Sequence, residues 1–171
     1  LASQANGETI TGAGTVIVES LASDTNLANA SVANLTLQLA GDVTYTGSVH
    51  GTPAITLDTD NDTTARAINI TGATFNPASI AVDNDVTLTM LHSQATAETI
   101  TGAGSVIVTG TGATTVNLAN VTANIDISGV NSGGAITTLT YGTIGGSQTV
   151  TLTGAQASGK TISGTGTTIV K

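Results

Sequence analysis

Asp58, Asp60 and Asp62 alternate through one short polar run, Asp58-Thr59-Asp60-Asn61-Asp62, and a second acidic turn follows at Asp83-Asn84-Asp85. Carboxylates at alternating positions of a turn can converge on one hard cation, and Ca2+ accepts about six to eight oxygen ligands. The run departs from a standard calcium loop at Thr63, where glycine makes the sharp turn, and it has no clear distal Glu. Asp and Asn are also ordinary turn formers, yet clustered like charge is costly without a counter-ion. Asp58, Asp60, Asp62, Asp83 and Asp85 are therefore the candidate metal ligands, with calcium as the ion.

Other chemistry-bearing patterns carry less. Residues 154–161, Gly-Ala-Gln-Ala-Ser-Gly-Lys-Thr, match the phosphate-loop pattern and follow a predicted strand. Such a loop works only when its amides open a helix and point at the phosphates. Strand and turn residues follow here, and the equivalent positions of two related segments carry Glu8 and Glu98 in place of Lys160. His50 and His92 have no second His at ligand spacing, and there is no Cys. No G-x-S-x-G elbow gives a serine a nucleophile's setting. A pair of carboxylates for glycoside cleavage remains open, although Trp, the usual sugar platform, is absent. Thr-x-Thr pairs (Thr9/Thr11, Thr44/Thr46, Thr87/Thr89, Thr99/Thr101) would suit an ice-binding face only as a flat ladder with one pair per coil. No catalytic residues are expected.

The elements that position these groups are legible from composition and spacing. Only 8% of residues are charged, against roughly 25% in typical soluble domains. There is one Phe, two Tyr and no Trp, so a core must be thin and filled by Val, Ile, Leu and Thr. Net charge is −8. Residues 1–90 hold nine acids against Arg66, and residues 91–171 balance Glu98 and Asp126 with Lys160 and Lys171. With three basic residues in all, the chain has nothing to grip a phosphate backbone or an anionic membrane. No apolar run approaches the roughly 18 residues of a membrane-spanning helix.

One motif occurs three times: QANGETITGAGTVIV from Gln4, QATAETITGAGSVIV from Gln94 and QASGKTISGTGTTIV from Gln156. The likeness extends to NLANASVANLTL from Asn26 and NLANVTANIDI from Asn117. The first two copies are 90 residues apart and the last two only 62. Tandem globular domains would keep their period, whereas a stacked array can drop a coil, and the 28-residue shortfall is about one long coil. Alternation of period two predicts strands at 9–11, 15–18, 35–39, 43–46, 55–57, 67–70, 86–89, 125–127 and 149–153. The best helix candidate is the Ala-rich LANASVAN from Leu27. These readings predict an all-β parallel β-solenoid, in an acidic module 1–90 and a second module 91–171 that contains the truncated third copy. The alternative is a tandem pair of Ig-like β-sandwiches of about 90 residues each.

The Cys-free Thr/Ala/Gly/Asn/Val composition, TITGAG-VIV at Thr9 and Thr99, TISGTG-TIV at Thr161 and TVTLTGAQ at 149–156 resemble the repetitive β-rich regions of bacterial surface-layer proteins and large adhesin-like exported proteins. That resemblance implies an exported, calcium-dependent structural protein that self-assembles into a lattice or filament at the cell surface. Expected partners are copies of itself, with cell-surface polysaccharide or glycan as a further candidate. The nonapeptide G-G-x-G-x-D of calcium solenoids is absent. An adhesin, or more remotely a β-helical carbohydrate-active enzyme, is the competing expectation.

Overall fold

The computed structural model describes residues 1–59, 62–74 and 76–171. Strands β1 (Ile10–Val18), β2 (Ala30–Gln38), β4 (Ala54–Asp58), β6 (Ser79–Val82) and β8 (Ile100–Thr101) form a first parallel sheet in that order. A second contains β3 (Val43–Thr44), β5 (Arg66–Asn69), β7 (Val86–Leu91), β9 (Ser105–Gly110), β11 (Asn124–Val130), β13 (Thr149–Leu152) and β14 (Thr167–Val170). On the third side β10 (Thr115–Leu118) pairs with β12 (Thr138–Tyr141). Bridges Leu27 to Val49 and Ser48 to Thr74 extend that side towards the first coils. The chain visits first sheet, second sheet and third side in rotation, through about eight coils.

Among the described residues every strand pair is parallel. This excludes the Ig-like alternative, whose sheets are antiparallel. The modules 1–90 and 91–171 share their sheets, since β6 pairs with β8 and β7 with β9 across that boundary.

Alternation explains why the coils stack. In the first sheet Val16, Leu35, Ile55, Ile80 and Ile100 occupy one ladder position in successive coils. In the second, Val43, Ile68, Leu88, Val106, Ile125 and Val150 do the same. All but Val16 and Val43 are buried. Such ladders put like on like at about 4.8 Å spacing, and each buried Leu or Ile contributes about 1.5–3 kcal/mol of hydrophobic stabilisation. A narrow aliphatic interior therefore suffices without large aromatics. Tyr45 is an exception: it is buried, its hydroxyl donates to the Ser48 carbonyl, and burial raises its pKa to about 12.

Three one-turn helices, α1 (Ala2–Ala5), α2 (His92–Ala95) and α3 (Gly154–Ala157), sit at corners. Each opens one copy of the motif. LANASVAN, by contrast, is no helix: it leads through a turn into β2.

Candidate functional site

The third and second motif copies are three coils apart, the steps being β14–β13–β11–β9. The first copy is placed differently. Its Val16–Val18 stand in the first sheet, whereas Val106–Val108 stand in the second. Four steps along β1–β2–β4–β6–β8, and then one side to β9, separate them. The 90-residue offset is thus four coils plus one side, and the shortfall is a coil and a side rather than one long coil.

At the corner joining first to second sheet, the motif's glycine packs against the coil before it. A Cβ at Gly104 would strike the carbonyl oxygens of Asp83 and Val86, and one at Gly166 those of Gly145 and Gln148. In the rotated first copy Gly14 has nothing within 4 Å. Close coil-on-coil approach fixes the glycine in the later copies.

The motif's glutamine is the residue that sequence reasoning passed over. Gln156 is wholly buried. Its Oε1 accepts from Thr153 N–H at 2.9 Å, and its Nε2 donates to the carbonyls of Ile127 at 2.9 Å and Val130 at 3.1 Å. Gln94 repeats the arrangement with Leu91 N–H at 2.8 Å and the carbonyls of Ile70 at 2.9 Å and Ala73 at 3.1 Å. The side-chain amide is spliced into the ladder between two coils and satisfies groups that the corner helix draws apart. Gln4 makes only the first half, accepting from Leu1 N at 3.2 Å, and it is exposed. The presence of Gln in all three copies was the available signal.

The candidate carboxylates share one edge. Asp58 ends β4, and Asp62, Asp83 and Asp85 lie in the segments that carry the chain from first to second sheet, as do Glu19 and Asp42. The equivalent later segments, Gly102–Gly104, Thr122–Ala123, 145–148 and Thr165–Gly166, are uncharged. Asp60 lies outside the described residues. Asp58 accepts from Gln38 Nε2 at 3.4 Å. Asp62 is held by Thr64, through Oγ1 at 2.7 Å and N–H at 3.1 Å, and by the Arg66 guanidinium at 3.0 Å. The Thr64 bonds first, and Arg66 after them, lower its pKa. Asp85 accepts from the Asn84 side chain at 3.1 Å. Among the described residues no three carboxylates or imidazoles group closely enough to hold a metal ion. With Arg66 against Asp62, the described part of this set does not fit a calcium cage.

The remaining patterns resolve simply. Lys160 donates to the Thr137 carbonyl of the neighbouring coil at 2.7 Å, and α3 lies inside the phosphate-loop pattern instead of following it. His92 contacts the Thr111 carbonyl at 3.2 Å. On the outer face of the second sheet, Thr87/Thr89 and Thr149/Thr151 are Thr-x-Thr pairs, but Ala67/Asn69, Ser105/Ile107, Asn124/Asp126 and Thr167/Ile169 occupy the other coils. The flat ladder required of an ice-binding face is not met there. A shallow groove of about 380 Å³ crosses this face, lined by Thr87, Ser105, Ile107, Asn124, Asp126 and Thr149 among others.

No family model, no curated protein and no solved structure matches this chain.

Proposed function

We propose that this chain is a segment of a self-assembling extracellular scaffold, of surface-layer or filament type, and that it performs no catalysis. The observation that carries the reading is the stack of parallel ladders over a mostly aliphatic interior. Backbone bonds run along the long axis in every coil, which gives stiffness in that direction. The outer faces carry short hydroxyl and amide side chains, a surface suited to close packing against like surfaces. Calcium enters as a counter-ion drawn to the acidic edge of Asp58, Asp62, Asp83 and Asp85, not as a caged ion. The second reading, an adhesin segment that binds cell-surface glycan, draws on the hydroxyl-lined groove of the second sheet.

Negative-stain electron microscopy of the purified chain, with calcium and with a chelator, tests the proposal. Regular filaments or sheets are expected. Isolated particles at every concentration, together with retention on a glycan array, would replace the scaffold with the adhesin.

A further inference from the structure

The outer face of the second sheet carries polar groups that the fold leaves unused. Thr87, Ser105 and Asn124 stand in one outward column, and Thr89, Ile107, Asp126 and Thr151 in the next. Thr149 continues the first column, since Ile125 pairs with Val150. These columns wall the groove of about 380 Å³. Thr89 also borders a second depression of about 160 Å³ on the same face, lined by Thr44, Ala67 and Asn69 among others. The trough thus follows the long axis across the strands. Among the described residues, the hydroxyls of Thr87, Ser105, Thr149 and Thr151 have no hydrogen-bond partner, although Thr151 is only 8% exposed. Asn124 Oδ1 accepts from Thr149 N–H at 2.8 Å, and its Nδ2 is left to donate outward. Beside Ser105, the smallest side chain of its column, Ile107 is 39% exposed.

We propose that this groove binds an uncharged linear glycan lying along the solenoid axis. The proposal rests on the glycan-binding reading above, to which it gives a site and a ligand class. A hydroxyl both donates and accepts, so the unpartnered Thr and Ser groups and the Asn124 amide match sugar hydroxyls. Ile107 offers an aliphatic patch to the C–H face of a pyranose ring. No Lys, Arg or His lines the groove. Its one carboxylate, Asp126, already accepts from Ser128 N–H at 2.8 Å and Lys171 Nζ at 2.9 Å. An anionic ligand therefore finds no unpaired cation there, and meets the field of a chain with net charge −8. Neighbours within a column are about 4.8 Å apart, close to the length of one sugar ring, so a repeating polymer can present the same groups to successive coils. A peptide strand docks instead at a sheet edge, through backbone groups that this face does not offer.

Titration of the full chain with cellohexaose and chitohexaose, followed by amide chemical shifts, tests this. Saturable shifts confined to β7, β9, β11 and β13, and insensitive to salt, are expected. Ser105→Gln fills the groove and should abolish them. Thr151→Val keeps the shape, removes one hydroxyl and should weaken binding about fivefold, the worth of one hydrogen bond. Thr56→Val, on the exposed face of the first sheet, should leave binding unchanged. Circular dichroism confirms that each variant is folded. Sugar binding that survives both groove variants would overturn this site and leave the glycan reading standing. Binding confined to acidic sugars would overturn the ligand class. Shifts that follow protein concentration and ignore sugar would assign the face to contact between copies and overturn the proposal. No shift with either sugar would also overturn it, and no retention on a glycan array would remove the glycan reading with it.

Discussion

Replacing Gln156 with Ala removes the amide spliced between two coils, leaving Thr153 N–H and the Ile127 and Val130 carbonyls without their partners. Each buried backbone group so orphaned costs about 1 kcal/mol net, so the loss should be about 3 kcal/mol. Gln4→Ala is the internal control, because Gln4 is exposed and reaches no second coil, and it should cost under about 0.5 kcal/mol. Gln156→Glu keeps the shape and the acceptor but cannot donate. At neutral pH it sets a carboxylate against two carbonyls, which raises its folded pKa. The penalty is therefore present at pH 7 and eases as pH falls and the carboxyl protonates. Urea unfolding followed by circular dichroism gives the global figure. Because stacked coils can open separately, amide exchange in β11 and β13 gives the local one. Gln156→Ala as mild as Gln4→Ala, or exchange unchanged on both sides of the splice, would refute the reasoning.

Gly104→Ala should destabilise by about 2 kcal/mol or more, because the new Cβ meets backbone carbonyls that cannot give way, while Gly14→Ala should be neutral; thermal melts of the pair decide this. Asp126 and Glu98 should act with opposite sign in pH-dependent melts. Burial raises the Asp126 pKa but its bonds to Ser128 and Lys171 outweigh that, leaving it below 3.8. Its stabilisation is thus present above its unfolded value and lost as pH falls through the folded one, so Asp126→Asn should be less stable at pH 7 and converge with the parent in acid. Burial holds Glu98 above 4.5, against a weaker backbone bond from Thr99. Its ionisation therefore costs stability that returns as pH falls through the raised value, and Glu98→Gln should be the more stable protein at pH 7. Calcium acting as a counter-ion at the acidic edge should raise the melting temperature in a graded way, reproduced by magnesium and lost in high salt. A saturable, calcium-selective shift abolished by Asp58→Asn would point to a caged ion instead.

Much of the architecture was written in alternation. Ile55-Thr56-Leu57 and Val86-Thr87-Leu88-Thr89 each pair an apolar with a polar face, and both stand in the sheets with Ile55 and Leu88 buried. LANASVAN misled because Ala is helix-favouring in isolation, while pairing with β1 on one side and β4 on the other decides its conformation. The corner helices were illegible because four residues are too few to display a period of 3.6. Rotation of the first copy was hidden as well, since an identical string of residues gives no sign of which side it will occupy. For the acidic residues, the sequence displayed the imbalance between halves. That six of them fall on one edge emerges only once coil lengths bring Glu19, Asp42, Asp58, Asp62, Asp83 and Asp85 into line.

The one-side rotation of the first motif copy has a consequence for how such an array can grow. A building block that stands on either of two sides frees its repetition from whole-coil steps: it can recur after a number of coils or after a number of coils and a side, and the interior still closes. The unequal 90- and 62-residue spacings of the three copies are thus compatible with one constant cross-section.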